Sequence, residues 1–542
     1  MKHRRTIGLY CGIISLFALC IFRLHYIEAS PFLAAAAQDQ GRFTLNLAQT
    51  RGGIYDRNMR LLVNNQSRFV ASVLPTPQAM SELYRVLPED ERYAVLERMR
   101  GGLPFALELD TMDINAVGLD VFEVPERFGL QQIAPHVVGY LSDEGRSGVA
   151  GIERAFDEVL REKGAGVSAS FQMDAMGRTM QGGGTVIERH NMTGTGGVVL
   201  TLDANIQLIA QRALADGAER GAAVVMDVHT GDMLAMASVP AFDQKDIAAS
   251  LESPYSPFVN RATSGYSIGS VFKGVIAAAA LESGFSPSRS YECRGYINVD
   301  GQIFRCNNLA GHGVLDMSRA MQVSCNPYFI SLGLQLDPAL LLIISRNLGL
   351  DASLELAPGM LSQRGNLPDL DELSSPAGLG NFSFGQGSSL ATPLQMAQMM
   401  AVFANQGSSV TPRLVEGLTE NGISLSQSAP RFASTSVLSP QTAEIMRQIM
   451  VDVIELGSGW PAAPIYGGAG GKTSSAQTGQ WEVDEYGQPI EIVHAWFVGF
   501  YPAQEPRYSI AVFVEGGRSG EHVAAPIFKQ ITDGIYALGV GG

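Results

Sequence analysis

Apolar and polar positions repeat with different periods along the chain, and each change of period marks an element. Residues 7–22 show no period: they form an uncharged, mostly apolar run after Lys2, His3, Arg4 and Arg5, and Arg23 follows. Continued through Leu24 and Ile27, the run reaches the ~20 residues that a membrane-spanning helix needs. The basic end predicts a cytoplasmic tip, and everything after residue 30 is expected outside the cytoplasm. A cleaved signal peptide would use the small residues at 34–37. They lie well beyond the apolar run, past His25 and Glu28, so an uncleaved anchor is preferred.

Residues 28–50 read as a short membrane-proximal helix or connector. Residues 51–63 suggest strand, turn and strand; 76–102 carry two polar helical patches; a helix is predicted over about 152–162. Between Arg178 and Gly197 the chain is Gly, Thr and polar residues without period, which is the best domain boundary. After it come a strand at 198–202, a helix at 206–219 and a hairpin over 222–237 turning at His229-Thr-Gly-Asp232. Helices are predicted at 270–283, 315–333, 338–348, 392–405 and 440–456, then an antiparallel pair at 497–501 and 508–515, and a closing helix at about 525–538. Helices before and between antiparallel strands predict an α+β domain with helices covering a sheet.

Composition changes this picture little: 46% apolar and 17% charged residues are ordinary for a globular chain and exclude general disorder. A net charge of −15 argues against nucleic acid as a partner. Cys11 and Cys20 fall in the anchor. Cys293 and Cys306 flank a predicted hairpin turning at Asp300-Gly301, where a disulfide is an option beside free thiols. Cys306 with His312 is set aside as a metal site because no paired ligand spacing is present.

The chemistry concentrates at Gly265-Tyr-Ser-Ile-Gly-Ser270-Val-Phe-Lys273, which opens the Ala-rich helix ended by Gly284. Ser270 and Lys273 share one helix face as nucleophile and base. The helix N-terminus offers N–H groups to an oxyanion and disfavours a second cation at Lys273. Ser324-Cys325-Asn326 places a hydroxyl and a carboxamide two apart in a turn before Pro327. Gly470-Gly471-Lys472-Thr473-Ser474-Ser475 supplies a cation, a hydroxyl and strand-edge N–H groups, suited to an extended peptide with a terminal carboxylate. Two decoys share these residues. Gly265-Tyr-Ser267-Ile-Gly269 matches a nucleophile elbow but lacks the preceding buried strand. The run before Lys472 has Tyr466 where a phosphate loop needs Gly, so a nucleotide is not expected.

S-x-x-K, S-x-N and K-T-x in this order resemble the signature of penicillin-binding proteins and serine β-lactamases. The likeness extends further, and the chain resembles a class B penicillin-binding protein over nearly its whole length. Arg51-Gly-Gly-Ile-Tyr-Asp56-Arg57-Asn58 resembles that family's pedestal motif, and residues 222–240 resemble the opening hairpin of its transpeptidase domain. Gly385-Gln386-Gly387, Thr392-Pro393-Leu394-Gln395 and residues 494–502 resemble its later blocks. The resemblance implies an anchor (1–27), an elongated α+β pedestal of the dimerisation type with a small lobe (28–196), and a transpeptidase domain of the serine β-lactamase kind (197–542).

It implies a monofunctional peptidoglycan D,D-transpeptidase inhibited by β-lactams, with no cofactor and no metal. Ser270 would attack the penultimate D-Ala carbonyl of a stem peptide and Lys273 would be the base. Ser324 would protonate the leaving D-Ala and Asn326 bind the peptide amide. Lys472 and Thr473 would hold the terminal carboxylate, and the N–H groups of Ser270 and Ser475 would form the oxyanion hole. A membrane-embedded glycan polymerase of the SEDS kind is the implied partner. The alternatives are a D,D-carboxypeptidase or β-lactam hydrolase, and a non-catalytic scaffold or β-lactam sensor acting on such a polymerase. A role in elongation, septation or sporulation is not read from the sequence. Ile268 stands where the family usually has Pro, and Ser474 where it usually has Gly. A side chain at 474 is expected to crowd the substrate strand edge and alter β-lactam affinity.

Overall fold

A computed structural model describes residues 2–30, 41–114, 116–142, 145, 147–174, 176, 179–180, 185–191, 196–483 and 487–539. The small residues at 34–37 and much of the polar stretch before 197 lie outside these described residues. Contacts divide the chain into two compact units: Met1–Arg51, Asn65–Arg127 and Gly164–Gly194 in one, and Gly52–Asn64, Phe128–Lys163 and Thr195–Gly542 in the other.

In the first unit a helix runs over Lys2–Ala29. Its His3–Ala29 stretch has a mean hydropathy of 2.1 and is the one unbroken helix among the described residues long and apolar enough to cross a membrane. Such a helix fits single-pass anchoring. Gln66–Val73 pairs antiparallel with Phe105–Leu109 on one side and Leu119–Glu126 on the other. The two expected polar helices are Pro77–Val86 and Glu89–Arg100. Arg42–Gln49, expected as a helix or connector, is a strand paired with Gly166–Gln172. Its partner lies more than a hundred residues away, so local pattern carries no sign of it.

The second unit is built on one antiparallel sheet of β1 (Gly221–Asp227), β2 (Met233–Val239), β3 (Gly470–Val483), β4 (Pro489–Tyr501) and β5 (Tyr508–Val514), in the order β2-β1-β5-β4-β3. β1 and β5 are buried on both faces, which is why they read as nearly continuous apolar runs, whereas the far half of β3 is exposed. Ala222, Val224 and Met226 of β1, with Trp496 and Val498 of β4 and Phe513 of β5, enter one core. The alternate residues Ala223, Val225, Phe497 and Val512 enter another. That second core is completed by α1 (Ala204–Gly217) and α7 (Ala525–Ala537).

The first core holds α2 (Lys273–Glu282), α3 (Met317–Gln322), α4 (Asn326–Gly333), α5 (Pro393–Ala404) and α6 (Pro440–Leu456). Every residue of α5 is buried, and its start is fixed by a capping box between Thr392 and Gln395. Each large apolar side chain withdrawn from water in such a core contributes about 1.5–3 kcal/mol before entropy is counted.

Strand Gly53–Tyr55 runs parallel to Gly197–Leu200, so the Gly52-to-Asn58 part of the motif belongs to this unit. Asp56 caps its own turn, accepting from the Asn58 and Arg60 N–H groups, and also accepts from Ala204 N–H at the start of α1. At the turn after β1, the Arg413 guanidinium donates to Asp232 Oδ1 at 2.8 and 2.6 Å, both residues being buried.

Candidate active site

The loop ahead of α2 is a 3₁₀ turn over Gly269–Phe272, and Lys273 is the first residue of the α-helix. Three residues per turn put positions i and i+3 directly in line, so the Ser270 and Lys273 side chains converge more closely than on a regular helix. Gly269 has φ +62 and donates its N–H to Gly385 O. Gly385 has φ +78, and a Cβ there would meet Gly269 O at 2.0 Å, so only glycine fits this approach.

Lys273 is fully buried, and four oxygens surround its Nζ: Ser270 Oγ at 3.0 Å, Ser324 Oγ at 3.0 Å, Ser324 O at 2.8 Å and Asn326 Oδ1 at 2.7 Å. The Ser324 carbonyl and Asn326 Oδ1 can only accept. They match the two N–H groups of a neutral amine and leave its lone pair for a hydroxyl. Burial lowers the Lys273 pKa to about 7, opposed by the Cys325 and Cys306 thiols, so burial carries the shift expected from the helix end.

The predicted 315–333 helix is broken at Ser324 into α3 and α4. Ser324 takes φ +54, a left-handed conformation rare for a residue with a side chain, which aims both its hydroxyl and its carbonyl at Lys273. Asn326 opens α4; one Nδ2 hydrogen goes to Arg305 O at 3.2 Å, and a second remains on the same nitrogen for a ligand.

The third motif lies on β3, an edge strand that packs against the Ser270 turn. An edge leaves one row of backbone groups open to another strand. The Lys472 ammonium donates to Thr473 O at 2.9 Å and Oγ1 at 3.3 Å; burial and the charge of Lys273 push its pKa down. Thr473 Oγ1 also meets Ser458 Oγ at 3.1 Å. Ser458, just past the end of α6, was not singled out from sequence; its only local signal is the flanking Gly457 and Gly459. Ser475 is exposed and its Oγ accepts from Gly520 N–H.

Ser474 departs from expectation. It is buried and donates its hydroxyl to Ile268 O at 2.9 Å, so its side chain faces the nucleophile turn, and it does not crowd the open edge. The two departures from the family pattern thus meet in one hydrogen bond. Ser474→Gly is expected to cost about 1 kcal/mol of stability in urea unfolding and to leave acylation by a fluorescent penicillin no faster. A large gain in acylation would mean that the side chain obstructs the edge after all.

Ser267, the elbow candidate, lies in a two-residue strand beside Leu390–Ala391, and its carbonyl accepts from Trp496 Nε1 at 2.9 Å. The amine of Lys273 is bonded to Ser270. A separate cavity of about 460 Å³, lined by Phe156, Leu356, Val415, Leu418 and Phe432 among others, contains none of these residues.

Residues 221–533 match the family model described as penicillin binding protein transpeptidase domain. The peptidoglycan D,D-transpeptidase PbpA of Mycolicibacterium smegmatis is 29% identical over 478 residues, covering 82% of this chain and 90% of that one. Penicillin-binding protein A of M. tuberculosis, solved as a penicillin G acyl-enzyme complex, has the same fold at a TM-score of 0.65 and 23% identity over 90% of this chain and 100% of that one. A chain from a peptidoglycan synthase complex, solved for the coordination of polymerization and crosslinking, superposes at a TM-score of 0.69 with 24% identity, covering 98% of this chain and 99% of that one.

Proposed function

This chain belongs to the penicillin-binding protein transpeptidase family, and on that premise we infer that it is a peptidoglycan D,D-transpeptidase acting through an acyl-enzyme on Ser270. The observation that carries the residue assignment is the buried Lys273 amine, held by two carbonyl-type acceptors and 3.0 Å from the Ser270 hydroxyl.

The neutral Lys273 amine takes the Ser270 proton as Oγ bonds to the penultimate D-Ala carbonyl carbon. The N–H groups of Ser270 and Ser475 receive the oxyanion. Lys472, through Thr473, holds the terminal carboxylate, and Asn326 holds the stem-peptide amide. Collapse breaks the C–N bond, and the proton passes by way of Ser324 to the departing D-Ala. The amine of a neighbouring stem then attacks the ester, a new peptide bond forms, and Ser270 recovers its proton. A β-lactam acylates the same serine, but its opened ring stays attached, so no leaving group clears the site for an acceptor.

The anchor (1–27), pedestal (28–196) and transpeptidase domain (197–542) are assigned on the same reading, with the catalytic region outside the cytoplasm and a membrane-embedded glycan polymerase as partner. The synthase-complex neighbour supports that partner, and the basic residues before the apolar helix support that orientation. A side chain at 474 that obstructed the strand edge would favour the scaffold alternative, but the Ser474 hydroxyl is turned to Ile268 O.

Full-length protein in detergent, given polymerised glycan with pentapeptide stems, is expected to yield cross-linked dimers with one D-Ala released per cross-link. Release of D-Ala without dimers would establish the carboxypeptidase reading. Neither product, with the folded protein present, would favour the scaffold.

A further inference from the structure

Cys325, the middle residue of Ser324-Cys325-Asn326, takes no part in the chemistry above. Its thiol lies in a cluster that three other segments complete. Cys293 ends the strand Tyr291–Cys293, Cys306 follows the hairpin of Tyr296–Val299 and Gln302–Arg305, and His312 precedes the strand Gly313–Leu315. One ligating atom from each of Cys293, Cys306, His312 and Cys325 lies within 4.8 Å of all the others. The three cysteines are 2%, 4% and 0% exposed and form no disulfide.

The spacings are those of ligands around one ion. Zinc bonds of about 2.3 Å to sulfur and 2.0–2.1 Å to nitrogen, set at tetrahedral angles, place sulfurs ~3.8 Å apart and sulfur and nitrogen ~3.6 Å apart. The Cys306 and Cys325 sulfurs are 3.9 Å apart, and His312 Nδ1 lies 3.4 Å from Cys306 Sγ and 3.7 Å from Cys293 Sγ. Thiols are weak hydrogen-bond donors, so hydrogen bonding is a poor reason for two of them to converge on one imidazole nitrogen and a third on the Cys306 sulfur. A disulfide would need the two nearest sulfurs at about 2.05 Å. Three soft sulfur ligands and one imidazole in a closed set select zinc in a structural role.

We propose that Cys293, Cys306, His312 and Cys325 bind one zinc ion, and that this ion positions Ser324 and Asn326 against Lys273. The second part rests on the acyl-transfer reading; the first does not. Ser324 sits in a left-handed conformation with Cys325 next to it. A bond from Cys325 to a metal held by the 296–305 hairpin region clamps that turn from behind, and Asn326 Nδ2 ties to the same hairpin through Arg305 O. Displacing such a turn by ~1 Å is expected to cost up to about a hundredfold in rate.

The test uses full-length protein purified in detergent without reductant or added chelator. Elemental mass spectrometry is expected to find about one zinc per chain, reduced in His312→Ala and in Cys306→Ser. Because those variants are at risk of misfolding, wild-type protein stripped with a chelator is also titrated with cobalt(II) alone. Intense visible bands of tetrahedral cobalt, with a thiolate charge-transfer band in the near ultraviolet, are expected. Failure of the reduced, stripped protein to take up either metal, or a disulfide among these three cysteines in the native protein, overturns the site. Stripping is expected to slow acylation by a fluorescent penicillin at least tenfold and zinc to restore it. Stoichiometric zinc with an unchanged acylation rate would overturn the positioning role alone. Loss of labelling that zinc fails to restore would count against it too.

Discussion

Ser270→Ala is expected to abolish acylation by a fluorescent penicillin, with the loss at least about 10³-fold and approaching the ~10⁶-fold seen when a serine nucleophile is deleted. Ser270 is aligned with Lys273 by a 3₁₀ turn and lies beside edge strand β3. Ser267→Ala is expected to label at close to the wild-type rate, since the Ser267 group held by Trp496 is its carbonyl. Thermal unfolding of Ser270→Ala should stay close to wild type, because only one half-buried hydroxyl is removed.

Lys273→Ala is expected to lower the acylation rate by about 10²–10⁴-fold, the contribution of a positioned base. The wild-type rate is expected to rise with pH around a midpoint of about 7, where burial places the Lys273 pKa. Below that midpoint the ammonium has no lone pair for the Ser270 proton; above it the amine is available. The same shift bears on stability. The folded protein binds fewer protons than the unfolded chain between about 7 and 10.5, so this group makes stability increase with pH across that window. A stopped-flow pH series of acylation on wild type and Lys273→Ala checks the first point, and urea unfolding of the two proteins across the same pH range checks the second. A wild-type profile flat from pH 5 to 9 would remove Lys273 as the base.

What sequence made legible followed from how local each signal was. The Ser270 and Lys273 pairing needs only three residues of spacing, and β1, β4 and β5 announce themselves as apolar runs. The three motifs lie close together in the fold, Ser324 and Asn326 on the Lys273 amine and β3 packed against the Ser270 turn. Arg42–Gln49 was misjudged because its partner strand lies at 166–172. Ser474 was misjudged for a reason open to correction in advance. Along a strand, side chains alternate between faces, so Ser474 shares a face with Lys472 and turns away from that of Thr473 and Ser475. The Cys293, Cys306, His312 and Cys325 cluster escaped because its members are 13, 6 and 13 residues apart, without the short paired spacing of common zinc motifs. Two hairpin-like segments and a helix junction bring them together, and only tertiary structure records that. Ser458 was invisible for the same reason, since its tie to Thr473 spans fifteen residues and a change of element.

The central claim is that Ser270, activated by an uncharged Lys273, forms the acyl-enzyme. It is tested most directly by treating full-length protein with penicillin at pH 8, digesting it, and locating the adduct by tandem mass spectrometry. The result predicted is a single penicilloyl group on Ser270, absent from Lys273→Ala over the same brief exposure. An adduct on Ser267 or another serine, or equal Ser270 labelling without Lys273, would contradict it.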